Sequence, residues 1–295
     1  MATSRPRHVL VTGGSRGIGL AIAQLFAKNA YRCTLISRSE DALKAAVGTL
    51  QPLPSLSSSV SGTQPLSSLQ HGYIPGNISH GSNFWSTSTT QPSHFGTFLP
   101  KPHVREQNHA SRIDVLVNCA GITQAKLFTA MEDASLDQIV NTNLTSMMVG
   151  TRFLLRQGYL KGVRSPSKDG EGEKGNANEK QGEWAGPVII NVSSLLGLTG
   201  GYGAVAYAAS KAGVLGFTRA LATEYASHKV RVNAIVPGYV ESDMTKDLDA
   251  AALSQRIPLG RFGKPEEVAQ AALFLAENQY AHNCVINLDG GLSAV

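Results

Sequence analysis

His8-Val9-Leu10-Val11-Thr12-Gly13-Gly14-Ser15-Arg16-Gly17-Ile18-Gly19 is the stretch whose reading decides the fold. Residues 8–12 read as a short buried strand, and the glycine-rich turn follows at once. Leu20, Ala21, Ile22, Leu25 and Phe26 then recur at helical spacing. Strand, glycine turn and helix in immediate succession present helix N-terminal amides to a pyrophosphate. Glycine serves there because a side chain would block the approach of backbone to phosphate. The spacing is Gly-x-x-x-Gly-x-Gly, not the commoner Gly-x-Gly-x-x-Gly. Gly13, Ser15, Arg16, Gly17, Ile18 and Gly19 are the candidate residues for holding a dinucleotide.

Working outward, strand and helix signals alternate. Strands are predicted at 8–12, 32–37, 71–76, 113–118, 187–193, 230–236 and 284–288, and helices at 17–29, 39–48, 134–160, 207–227 and 265–276. Such alternation argues for an α/β fold with one parallel, doubly wound sheet. The second strand ends in Ser37-Arg38, with no acidic residue at the strand end itself. Folds that bind NAD usually place a carboxylate there to hold the ribose hydroxyls. Arg16 and Arg38 supply positive charge instead, which suits a 2′-phosphate, so the expected cofactor is NADP(H).

Tyr207-Ala208-Ala209-Ser210-Lys211 carries the chemistry. Positions i and i+4 share one helical face, so phenol and ammonium point into one space. A nearby cation favours phenolate over phenol. Tyr207 then suits giving a proton to a nascent alkoxide or taking one from an alcohol. Ser194, thirteen residues upstream on a strand, is placed to hydrogen-bond the substrate oxygen.

Together these motifs resemble the short-chain dehydrogenase/reductase family, from about residue 8 to residue 292. The resemblance implies a single Rossmann-type sheet of about seven strands in the order 3-2-1-4-5-6-7, and one domain over 1–295. Asn118-Cys119-Ala120-Gly121 resembles the family's Asn-Asn-Ala-Gly, so Asn118, Ala120 and Gly121 carry over as cofactor residues. Asn143 matches the family's helix asparagine, which orders a water between the catalytic lysine and solvent. With Ser194, Tyr207 and Lys211 it completes a catalytic tetrad, in which Lys211 also holds the nicotinamide ribose and Tyr207 also faces the cofactor. Pro237, Gly238, Val240 and Ser242 match the segment beside the nicotinamide. Asn77 and the adjoining Ile78 fall at the adenine pocket, where relatives often have an aspartate.

Within the family, residues 237–245, 257–263 and 289–292 resemble the 3-oxoacyl-[acyl-carrier-protein] reductase and carbonyl reductase group. This implies NADPH-dependent reduction of a 3-oxoacyl thioester in fatty acid biosynthesis. Reduction of a quinone, steroid or secondary-metabolite ketone is the alternative, because the tetrad serves all of these. A non-catalytic nucleotide-binding subunit of a mixed oligomer is the alternative of another class. Leu195, Leu196 and Tyr202 either line the substrate mouth or pack their own loop, and Arg152, Arg156, Lys161 and Arg164 read first as a solvated helix face and second as part of a landing surface for an acidic carrier protein. The small residues Ala208, Ala209, Gly213, Gly216 and Ala220 suit helix pairing across subunits, giving a homotetramer or dimer.

The 295 residues, 42% hydrophobic content and net charge of +5 fit one large α/β domain with a full core. No basic-aromatic interleaving points to nucleic acid, and no run has the length of a membrane span. Cys33, Cys119 and Cys284 are too few and too scattered for a disulfide framework, and no metal-ligand spacing is visible. Three stretches, 51–70, 79–111 and 163–186, read as irregular or flexible insertions. In the second, Phe84-Trp85 is expected to plug the sheet face where a helix normally lies. The third joins a helix to the fifth strand, at the edge opposite the ligand crevice. The first 39 residues contain no Asp or Glu, a bias that suits the mitochondrial matrix, with the cytoplasm as alternative.

Overall fold

The computed structural model describes residues 5–54, 70–79, 83–86, 93–102, 111–161 and 186–294. Most of the three expected insertions, with Arg164, lie outside these residues.

Seven parallel strands form one sheet in the order β3-β2-β1-β4-β5-β6-β7, as expected. They are β1 His8–Thr12, β2 Arg32–Ser37, β3 Gly72–Pro75, β4 Val115–Asn118, β5 Val188–Val192, β6 Arg231–Pro237 and β7 Val285–Leu288. Central strands read as continuous apolar runs because helices cover both faces. Val9, Val11, Val115, Val117 and Ile190 face one core with α1 (Gly17–Lys28), α2 (Glu40–Gly48) and α9 (Pro265–Glu277). Their chain neighbours Leu10, Leu116 and Ile189 face the opposite core, with α5 (Ser146–Arg156) and α7 (Val205–Tyr225). The two sets alternate because successive strand side chains point to opposite faces. The strand order reverses between β1 and β4, which opens a crevice at their carboxyl ends.

Two elements depart from the sequence reading. The helix expected over 134–160 is three pieces: α4 Asp133–Val140, one π turn Asn141–Thr145, and α5. A π turn inserts one residue into the helical ladder and re-aims its side chains. Asn143, inside that turn, is buried and points at the crevice loop. The second departure is the β3–β4 crossover, whose described residues hold only the short α3, His94–Phe98. Phe84, Trp85 and Phe95 lie buried on the sheet there, packed with Phe153 and Tyr159. This aromatic plug covers the face that a longer helix would otherwise cover, as the sequence reading anticipated for Phe84-Trp85. Gly150 of α5 makes room for it: a Cβ there would stand 2.9 Å from the Trp85 ring.

Leu160 and Gly186, which flank the third insertion, sit at the N-terminal edge of the sheet, where Ile113 N–H donates to Tyr159 O and Val188 N–H to Asp114 O. The short helices α6 (Leu196–Thr199) and α8 (Ala250–Ser254) lie in the segments that follow β5 and β6, on the crevice side.

Candidate active site

The glycine turn packs tightly enough to require its glycines. Gly13 has φ +71°, and a Cβ there would lie 2.8 Å from Ala120 Cα. A Cβ on Gly19 would lie 2.3 Å from Gly13 O. The Gly13 and Gly14 amides donate to Ile36 O at 2.8 and 3.3 Å, which ties the turn to β2. Helix α1 starts with no side-chain cap and no acidic residue in its first turn. Its leading amides and positive dipole end therefore face the crevice with no anionic side chain in the first turn, the arrangement that receives a phosphate. A dinucleotide fits this cradle.

At the adenosine end Ser37 is half-buried and Arg38 exposed. The nearest carboxylate, Glu40, is engaged by Lys44 at 3.1 Å and by the Tyr73 hydroxyl at 3.3 Å. Asn77 is exposed and accepts from Ser79 N–H through Oδ1, closing a turn after β3, while Ile78 lines a small cavity. Arg16 differs from expectation. It reaches across the crevice to pair with Asp243 at 3.0 Å, and both side chains are largely exposed.

The far wall is the end of β4. Thr12 Oγ1 accepts from the Cys119 and Ala120 amides at 3.2 and 3.3 Å, fastening the two strand ends on either side of the crevice. Asn118 turns its carboxamide to Asn191 at 2.9 Å and Thr151 at 3.2 Å, so its side chain stitches β4 to β5 and α5. Burial pushes the Cys119 thiol up to about 11, with Lys211 opposing, so the sulfur is a neutral packed group. Thr12, Ile78, Ala120, Asn143 and Val192, together with the buried Trp85, Leu116 and Leu154, line a small cavity next to the ends of β1 and β4.

The predicted catalytic residues converge beside it. Lys211 is buried, and its ammonium donates to Val192 O at 3.0 Å and lies 5.8 Å from the Tyr207 ring centroid. That contact brings the lysine to the end of β5, two residues before Ser194. Ser193 reinforces it by donating to Lys211 O at 2.7 Å. Ser194 is half-buried, and its Oγ accepts from Leu196 N–H at 3.3 Å. Asn143 grips Ile122 at two points, accepting from its N–H at 2.8 Å and donating to its carbonyl at 3.0 Å. A Cβ on Gly121 would come within 3.4 Å of both Asn143 Oδ1 and Lys211 Nζ, which places those two groups around one small space.

Pro237 ends β6, and Gly238 packs so closely that a Cβ would lie 2.8 Å from Asp289 Cα. Val240 is buried against Gly263, and its carbonyl accepts from the Thr245 hydroxyl at 2.6 Å. Ser242 also bonds Thr245 and faces Gly17 across the crevice. Of the expected mouth residues, Tyr202 is almost fully exposed, but Leu195 is not at the mouth. It is buried with Leu215, Ala234 and Val236, because Leu195 N–H is drawn onto Pro237 O and the side chain follows inward. Sequence reasoning missed Thr12, Gln124 and Ser210. Ser210 lies inside the Tyr-to-Lys segment, a visible signal. Gln124 bonds residues 82 and 83 positions away, which no local pattern announces.

No helix among the described residues is long and apolar enough to cross a membrane, and no group of three potential metal-ligating side chains converges among them.

Comparison with known proteins places this geometry in context. Residues 7–63 and 103–165 match the family described as short chain dehydrogenase, and residues 179–293 the one described as Enoyl-(Acyl carrier protein) reductase. The chain is 33% identical to a human 3-oxoacyl-[acyl-carrier-protein] reductase over 97% of both chains. It is equally similar, at 33% over 97% of both chains, to a 3-oxoacyl-[acyl-carrier-protein] reductase of Chlamydia muridarum. It is 33% identical over 96% of both chains to carbonyl reductase family member 4 of Xenopus laevis. A parallel sheet with a glycine cradle at its switch point, a tyrosine and a buried lysine at the crevice, and relatives that match from end to end lead to one conclusion: the chain belongs to the short-chain dehydrogenase/reductase family, and is an oxidoreductase that works between alcohol and carbonyl with a nicotinamide cofactor.

Proposed function

We propose that this protein reduces a 3-oxoacyl thioester, carried on acyl carrier protein, to the 3-hydroxyacyl form with NADPH, in fatty acid biosynthesis. The observation that carries the reading is the buried Lys211 ammonium, 5.8 Å from the Tyr207 ring at the carboxyl end of β5. NADPH, when bound, supplies the hydride that reduces the ketone carbon. Tyr207 gives its hydroxyl proton to the carbonyl oxygen. The Lys211 cation stabilises the negative charge left on the phenol oxygen, strongly so because it is out of water. Ser194 Oγ orients the carbonyl, and Asn143 supports proton resupply by holding the loop beside Lys211.

Gly13, Ser15, Gly17, Ile18 and Gly19 seat the pyrophosphate. Ala120, Gly121 and the segment Pro237, Gly238, Val240 and Ser242 flank the nicotinamide half, and Asn77 and Ile78 the adenine. The preference for NADPH rests on Ser37, Arg38 and Arg16. An exposed ion pair such as Arg16–Asp243 is worth only about 0–1 kcal/mol. A 2′-phosphate offers stronger, charge-assisted bonds and draws Arg16 off its partner.

Arg152, Arg156 and Lys161 are exposed, but Lys161 follows α5 at the sheet edge opposite the crevice, so they are read as a solvated face and not as the carrier's landing surface. Of the expected small residues Ala209, Gly216 and Ala220 are exposed on α7, joined by Ala212, which favours a homotetramer, whereas Ala208 is half-buried and Gly213 packs against Leu144 of the same chain. The matrix of the mitochondrion suits the acid-free first 39 residues.

The test is a panel of acetoacetyl thioesters and quinones with NADPH and with NADH, on pure wild type and Tyr207→Phe. Thioester turnover with NADPH, abolished in Tyr207→Phe with NADPH binding retained, is expected. Faster turnover of quinones moves the reading to a broad carbonyl reductase. Full turnover in Tyr207→Phe removes the assigned role.

A further inference from the structure

The catalytic helix begins without a cap of its own. Ala204 stands at the N-cap of α7 and has no side-chain acceptor. The first amides of a helix have no intrahelical partner and need one from elsewhere. Here the acceptor comes from the loop after β4. Gln124 Oε1 receives Ala206 N–H at 2.9 Å and Tyr207 N–H at 3.4 Å. The orientation of the carboxamide is fixed from its other end, because Nε2 donates to Lys126 O at 2.8 Å.

Tyr207 is held on its carbonyl side as well. Ser210 Oγ donates to Tyr207 O at 2.7 Å and accepts from Asn143 Nδ2 at 3.1 Å. Asn143 in turn grips Ile122, two residues before Gln124. The backbone of Tyr207 is thus clamped at both N–H and C=O, and both clamps lead to residues 122–124. Ala206 and Tyr207 are themselves buried, so their amides gain little from water if the clamp is lost.

We propose that Gln124 is a positioning residue for Tyr207: its carboxamide oxygen is the surrogate N-cap of α7 and sets where the phenol stands over the crevice. The inference rests on the role assigned to Tyr207 above. It explains why an otherwise unremarkable loop glutamine, not a residue at the helix start, completes the catalytic helix. The requirement is for an acceptor oxygen at that reach, which glutamate also supplies and leucine does not. A displaced donor lowers turnover more than binding, since proton transfer is steep in geometry and ground-state binding is not.

The experiment compares wild type, Gln124→Leu and Gln124→Glu. It measures kcat and KM for the best ketone of the panel, NADPH Kd by fluorescence, and amide hydrogen exchange. Gln124→Leu is expected to lower kcat by roughly tenfold or more, as a small misplacement of a reacting group does. NADPH Kd should change less than about twofold, because Gln124 is not part of the phosphate cradle. Exchange at Ala206 and Tyr207 should rise by about fivefold or more, the loss of one cap, while exchange in β1 and β4 stays put. Gln124→Glu keeps the acceptor but loses the Nε2 bond to Lys126 O, so it should recover part of kcat and of the exchange protection. The idea is overturned if Gln124→Leu turns over like wild type, or if Gln124→Glu falls as far as Gln124→Leu, for then the acceptor oxygen is not what counts. It is also overturned if kcat falls with no change in exchange at Tyr207. These outcomes are separable from failure of the active-site reading, which shows as full activity in Tyr207→Phe whatever Gln124 does.

Discussion

Trp85 offers the sharpest test of how the β3–β4 crossover is built. The indole is 6% exposed and touches Phe84, Phe95 and Phe153 with ring centroids 4.6, 5.2 and 5.6 Å away. Truncating a buried aromatic to alanine costs about 3–5 kcal/mol in lost transfer energy and residual cavity. One feature works the other way. The indole Nε1–H is buried without an acceptor among the described residues. An unmet buried donor costs about 1–3 kcal/mol, and deleting the ring removes that penalty. Trp85→Ala should therefore destabilise by about 2 kcal/mol, within a range of about 0–4 kcal/mol. Trp85→Phe keeps most of the ring and sheds the donor, so it should stay within about 1 kcal/mol of wild type. Gly150 supplies the internal control. Alone, Gly150→Ala forces its methyl against the indole, which lies 2.9 Å from the new Cβ. In the Trp85→Ala background the same methyl enters a cavity, and the pair should show strong coupling. Urea unfolding followed by circular dichroism, with midpoints compared at constant slope, reads wild type and the four variants. A Trp85→Ala protein within about 0.5 kcal/mol of wild type, the scale of a neutral surface change, and with no coupling to Gly150→Ala, would refute the view that these aromatics stand in for a helix. So would Trp85→Phe as damaging as Trp85→Ala.

Two further outcomes follow from buried titratable groups. His8 is fully buried, and burial followed by the Arg32 charge holds its pKa well below the ordinary histidine value. Its Nδ1 lies 2.7 Å from Arg32 Nη2 and 2.9 Å from Arg112 O, and its Nε2 lies 2.8 Å from Thr34 Oγ1, so the neutral ring is enclosed on both sides. The unfolded chain binds a proton at His8 below about pH 6.5 and the folded chain does not, so His8 lowers stability as pH falls through that value, by up to about 1.4 kcal/mol per pH unit. His8→Gln should flatten the loss between about pH 6.5 and 5, and identical slopes in the two proteins would count against it. Cys119, half-buried and with its thiol raised to about 11, should react slowly with iodoacetamide at pH 8, and labelling at the rate of a free thiol would contradict the raised thiol.

The order of the sheet and the residues gathered at its crevice were legible in the chain before folding. The run from His8 to Gly19 allows few structures, because a buried strand followed at once by three spaced glycines and an amphipathic helix has one way to satisfy its backbone. Alternating strand and helix signals then fix a parallel, doubly wound order, since crossovers in such sheets have one hand. Tyr207 and Lys211 were legible for the same reason: helix periodicity is local, and four residues along a helix is one face. The residues that only the tertiary structure decided are those whose partners are distant. Asn143 is picked out in the sequence by its family match, yet periodicity reads it as one more residue of a long helix, and only the folded chain shows the π turn and the bond to Ile122. Arg16 reads as a free cation, yet folding brings Asp243 to it across 227 positions. Leu195 reads as a mouth residue, yet the pull of Pro237 on its amide turns it into the core. Gln124 carries no local signal at all, because an acceptor for a helix start can come from any stretch of chain that folding delivers there. Periodicity reports which face a side chain takes; only the packed chain reports what meets it.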